Sequence, residues 1–175
     1  MFFIPGEAIS ILTFPGIIVH EFSHMFFCKL RKVAVLDVCY FKVGNPAGYV
    51  IHESTSNFTT TFLVSMGPFF INTLFCLLIC LPAYMPIQFF ELSHPLSYFL
   101  IWLGVSIGMH AIPSNQDANN VFDQAKHKIK QGNILAILSF PLIGLIYLFN
   151  VLRFFWIDLI YGIAIGIGIP YLIFR

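Results

Sequence analysis

The sequence predicts an all-α polytopic membrane protein, with about five transmembrane helices and a small cytoplasmic β-hairpin. Three observations predict it. Hydrophobic residues make up 58% of the 175-residue chain and charged residues only 10%, against about 25% charged in a soluble globular domain. The mean hydropathy is +0.86. The apolar residues gather into five segments parted by short polar stretches, which leaves too little polar surface to face water. A net charge of +1 with no basic tract gives no footing for a nucleic-acid partner. The cysteines (Cys28, Cys39, Cys76 and Cys80) form no CxxC pair. Neither a disulfide framework nor a thiolate metal site is therefore expected, and Cys76 and Cys80 read as apolar packing on one helix face.

The predicted spans cover about residues 2–27, 58–81, 96–112, 134–149 and 159–174. The last two are short for a hydrocarbon core of about 30 Å and need bilayer thinning or flanking residues to cross it. Residues 150–158, with Arg153 and Trp156, read as an interfacial turn or as a break in one re-entrant unit. Pro15-Gly16 and Gly67-Pro68 should kink their helices and let neighbours approach, and Gly162 with Gly166 should pack a helix. Lys29, Arg31, Lys32 and Lys42 follow the first span, Lys126, Lys128 and Lys130 lie between the third and fourth, and Arg175 ends the sequence. With five spans these cations share one side and Arg153 alone takes the other. The positive-inside rule makes that side the cytoplasm of a cell membrane, with the N-terminus outside. Residues 84–94, which carry Glu91 and no Lys or Arg, then lie outside.

Residues 33–43 are mostly β-branched or aromatic, residues 44–48 (Gly-Asn-Pro-Ala-Gly) signal a turn, and residues 49–52 read as a returning strand. The hairpin either captures an extended substrate by edge pairing or plugs the membrane face. Pro113 ends the third span, and residues 114–120 read as an irregular polar segment that must line a cavity or reach water. The domain reading is a three-helix core over residues 1–120, including the hairpin near 33–52. A cytoplasmic linker and two C-terminal spans fill residues 121–175.

His20-Glu21-Phe22-Ser23-His24 lies within the first apolar segment. Four-residue spacing puts both imidazoles on one helix face, where they can offer two nitrogens to zinc, with Glu21 beside them as candidate general base. On a soluble helix such a pattern is often a solvated face. Here the flanks are apolar, and burying three ionisable groups among them is costly without a purpose. Asp117, past the cytoplasmic end of the third span, can approach as a third ligand. His110 is the competing ligand, a donor to a reacting carbonyl, or a purely structural group.

These residues resemble the site-2 protease family of intramembrane zinc metalloproteases. His20-Glu21-Phe22-Ser23-His24 resembles the family's HExxH on its first core helix. Gly67-Pro68-Phe69-Phe70-Ile71-Asn72 resembles its Gly-Pro-x-x-Asn pattern, with one extra residue before Asn72. Asp117 resembles the aspartate of its Asn-x-x-Pro…Leu-Asp-Gly motif, although His110 stands for the Asn and Gln116-Asp117-Ala118 for Leu-Asp-Gly. The resemblance covers about residues 10–120 and leaves the last two spans without a counterpart. It implies His20, His24 and Asp117 as zinc ligands, Glu21 as catalytic base, and Asn72 and His110 as substrate-binding or oxyanion-stabilising groups. The implied substrate is a transmembrane segment of another membrane protein, cut near the cytoplasmic face. Two other classes stay open: a divalent-metal transporter using His20, His24, His110 and Asp117, and an inactive scaffold that holds membrane partners. Substrate identity and oligomeric state are not encoded in any motif.

Overall fold

The computed structural model describes residues 6–90 and 94–175. Residues 2–5 of the first predicted span and Glu91 of the predicted outer segment lie outside the described residues. Helix α1 covers Gly6–Leu12 and α2 covers Phe14–Leu30. The two are bent by 83°. The kink expected at Pro15-Gly16 is thus present, as a sharp bend just before Pro15. Pro15 in the first turn of α2 has no amide hydrogen to continue a helix from α1. The Thr13 hydroxyl caps the break by donating to the Ile9 carbonyl at 2.7 Å.

After α2 the chain turns through Lys32, whose φ is +56°, into a two-stranded antiparallel sheet. Strand β1 is Val35–Cys39 and β2 is Tyr49–His52. Tyr49 donates to the Asp37 carboxylate at 2.9 Å, and this bond holds the phenol above its ordinary pKa. The expected hairpin is present, shorter at its first strand than the sequence suggested.

Helix α3 runs from Phe58 to Phe90, a 33-residue rod that passes through Pro68, Pro82 and Pro86. At 1.5 Å per residue it is about 50 Å long, well beyond an apolar core of about 30 Å. The predicted exit from helix near residue 82 is thus corrected. Prolines end helices in water more strictly than in an apolar bundle, where neighbours re-satisfy the freed carbonyls. Helix α4 spans Pro95–Met109, with the His94 ring accepting from Leu96 N–H at 3.2 Å as its cap.

Residues 114–120 are not irregular. Helix α5 covers Asn115–Ile129 and opens with a capping box between Ser114 and Asp117. It is amphipathic. Ala118, Val121 and Ala125 are buried against Phe58, Met66, Ala136, Ile143 and Ile146 of neighbouring helices. The opposite face, with Asn120, Asp123 and Gln124, lines a cavity. Helix α6 (Ile134–Leu152) continues into a 3-10 turn at Arg153–Phe155. Trp156, at φ +61°, breaks the helix before α7 (Ile157–Ile163), which continues through a π turn at Ala164–Gly168 into α8 (Ile169–Ile173).

Among the described residues, two helices, Phe58–Phe90 and Ile134–Phe155, are long and apolar enough to cross a membrane, and the bent α1–α2 pair makes a third if it counts as one span. Pro95–Met109 and Ile157–Ile173 are shorter apolar helices. Small residues let the helices touch. A Cβ on Gly162 would stand 2.8 Å from the Val105 carbonyl oxygen, and one on Gly166 3.0 Å from Cys80 Sγ. Cys76 and Cys80 are fully buried at this seam. Outward-facing Ile134, Leu138, Val151 and Leu172 are more than three-fifths exposed, as suits side chains that face lipid.

Candidate metal centre

Helix α2 presents His20 and His24 one turn apart. The Nδ1–H of His20 donates to the His110 carbonyl at 2.6 Å, and the Nδ1–H of His24 donates to the Val64 carbonyl at 2.9 Å. A carbonyl can only accept, so a neutral ring at either position carries its hydrogen on Nδ1 and leaves a lone pair on Nε2. The two Nε2 atoms face each other at 3.2 Å. Such lone pairs repel unless a cation lies between them.

Asp117 arrives from the first turn of α5. Its Oδ2 accepts from the Ser114 amide at 2.9 Å and from the Ser114 hydroxyl at 2.6 Å. The cap thereby fixes the carboxylate and turns Oδ1 toward His24 Nε2, 3.6 Å away. Ligand atoms of His20, His24 and Asp117 all lie within 4.8 Å of one another. A tetrahedral zinc with bonds of about 2.0–2.1 Å separates its ligands by about 3.3 Å. The observed 3.2 and 3.6 Å bracket that value, and two nitrogens with one carboxylate oxygen are a donor set that zinc accepts. The cluster can hold a metal ion.

Comparison with family models, curated proteins and solved structures finds no match to this chain.

The three candidate ligands border a cavity of about 1450 Å³, together with Glu21. The hairpin forms one wall. Gly48 lies over Glu21, so closely that a Cβ there would stand 2.7 Å from Glu21 Cγ. All four residues of β2 line the cavity, as do Asn115, Gln116, Asp117, Asn120, Asp123 and Gln124 of α5. Gln124 donates to the Thr55 carbonyl and ties the β2–α3 connection to α5. Arg153, Trp156 and Asp158 complete the wall from the C-terminal helices.

Not every predicted site residue joins the cluster. The ring of His110 is outside the ligand group, and its Nε2 pairs with the Thr13 hydroxyl at 2.8 Å. His110 serves the site through its backbone carbonyl instead. Asn72 is fully buried and does not border the cavity. Its amide nitrogen stands 3.2 Å from the Gly16 carbonyl, 3.1 Å from that of Ile107 and 3.3 Å from that of His110, so it ties α2, α3 and the end of α4 together. Its Oδ1 accepts from Ser23 at 3.3 Å.

Other groups at the site had weaker signals or none. Ser114 had a readable one, since Ser-x-x-Asp is capping-box spacing. The Val64 carbonyl had none, because any residue offers it. Its exposure to His24 depends on the following turn of α3 containing Pro68, which lacks the amide that would take this carbonyl's helical bond.

Proposed function

We propose that this chain is an intramembrane zinc metalloendopeptidase that cuts transmembrane segments of other membrane proteins near the cytoplasmic face. The observation that carries the reading is the convergence of two imidazole Nε2 atoms from the apolar helix α2 and one oriented carboxylate oxygen from α5, beside Glu21. A bound zinc would supply Lewis acidity, activating water and polarising the scissile carbonyl.

The protein's own groups divide the remaining work. The His110 and Val64 carbonyls hold the two rings in the metal-binding tautomer. Ser114 orients Asp117. Glu21, walled off by Gly48 from the hairpin side, takes a proton from water and returns it to the leaving amine. The polar face of α5 gives water a route to the site. The cavity-facing edge of β2 has no strand partner among the described residues and suits an unwound substrate backbone, whose helix would otherwise hide the scissile carbonyl. In this reading the chain belongs with the site-2 proteases, while the expected five crossings with Arg153 on the far side are not kept, because Arg153 donates to the Ile112 carbonyl just past the end of α4. Lys29, Arg31, Lys32, Lys42, Lys126, Lys128 and Lys130 then lie on the cytoplasmic side.

Glu21→Gln tests the reading. The variant should keep its zinc, measured by elemental analysis of the purified protein, and lose all cleavage. Membrane-protein fragments present in cells with the native chain should be missing in cells with E21Q. Identical fragment maps would refute the peptidase. Zinc uptake by vesicles holding the pure protein would point to a transporter. A folded protein without His20-dependent zinc would point to a scaffold.

A further inference from the structure

Residues 111–113 form the buried, non-helical connection between α4 and α5. Carbonyls outside a helix have no built-in partner, and each is costly to leave bare away from water. Two of these carbonyls find donors at the end of α6. Arg153 Nη2 donates to the Ile112 carbonyl at 3.2 Å, and Asn150 Nδ2 donates to the Pro113 carbonyl at 3.1 Å. Asp158 of α7 aims the guanidinium, with its Oδ2 2.9 Å from Arg153 Nε.

This connection lies between two groups that set the candidate ligands. Before it is the His110 carbonyl, which holds His20. After it is Ser114, which holds Asp117. A shift of the connection moves one ligand's support relative to the other's. We infer that Asn150, Arg153 and Asp158, all in the C-terminal unit beyond the three-helix core, are positioning residues for the metal centre. The C-terminal helices then do more than fill the bilayer: they clamp the backbone that spaces a histidine from a carboxylate. The inference rests on the metal-site reading above.

The test uses the full chain in detergent micelles and zinc alone as the probe, with affinity read by competition against a chromophoric chelator. Thermal stability of the zinc-free protein is measured alongside. Asn150→Leu and Arg153→Met should each weaken zinc by about 10- to 100-fold, the usual effect of losing an outer support of a metal ligand. Arg153→Lys keeps a donor within reach and should recover most of that loss. The control is Tyr147→Phe, which removes a bond from α6 to Asn119 of α5 without touching residues 111–113. It should leave affinity unchanged.

Native affinity in N150L and R153M would overturn the inference, provided the native chain binds zinc and His24→Ala does not. An equal loss in Y147F would overturn it too, because the effect would then be one of general stability. If N150L and R153M fail to fold, Asp158→Asn keeps both donors and loses only the charge that aims Arg153. A severalfold loss is expected there, and unchanged affinity in folded D158N would overturn the clamp. A native chain that takes up no zinc would remove the metal-site reading itself, and the clamp with it.

Discussion

Gly16 lies one turn before His20, where α2 crosses α4. A Cβ there would stand 2.6 Å from Cδ2 of the His110 ring and 2.8 Å from the Ser106 carbonyl carbon, with the Ser106 oxygen nearer still. Carbon atoms rest at about 3.5–4.0 Å, so Gly16→Ala must part the two helices by about 1 Å. The bond from His20 Nδ1 to the His110 carbonyl is 2.6 Å long. The same displacement stretches it to about 3.6 Å, beyond hydrogen-bond length. Two costs follow. Overpacking costs about 1–3 kcal/mol, of which alanine's better helix propensity returns up to about 1 kcal/mol. Loss of the ring's support lowers metal affinity by about 10- to 100-fold. Stability therefore changes modestly and affinity strongly, which makes zinc competition the decisive assay. G16A with native zinc affinity would refute the idea that this helix crossing sets the ring of His20.

Three further outcomes follow from the geometry. Gly48→Ala places a methyl group 2.7 Å from Glu21 Cγ; displacing the base should cut kcat by about 100-fold with zinc content unchanged, checked by single-turnover cleavage and elemental analysis. Ser114→Ala removes the helix cap and should cost about 1 kcal/mol of stability; zinc affinity should fall severalfold in the same titration because Asp117 loses its tether. Asn72→Leu strands buried carbonyls and should destabilise the fold by about 1–3 kcal/mol, with kcat of the folded fraction unchanged; native stability with lost activity would instead restore Asn72 as an oxyanion donor.

The HExxH was legible because a helix alone brings residues four apart onto one face, and no tertiary contact is needed to read it. The hairpin was legible for a similar reason, since β-branched residues around Gly44–Gly48 carry their own pairing signal. Asp117 is legible as a residue type near a helix end, but its cap is not, because the polar composition of residues 114–120 suggests a loop. Polarity there marks one face of an amphipathic helix. Prolines divide in a related way: the kink expected at Pro15-Gly16 is present as a sharp bend, whereas Pro82 and Pro86 lie inside a continuing helix. Proline removes one donor in every case, and only the neighbours determine whether the stranded carbonyl is rescued.

Local chemistry thus determined that this chain is mostly apolar helix, that two imidazoles share a face, and that an acid stands by to join them. The tertiary structure decided which acid atom turns inward, which carbonyls hold the rings, and that His110 and Asn72 act as braces. Those outcomes depend on backbone carbonyls and on glycines whose missing side chains let helices meet. A carbonyl is the same in every residue, so its partner exists only once the helices have packed.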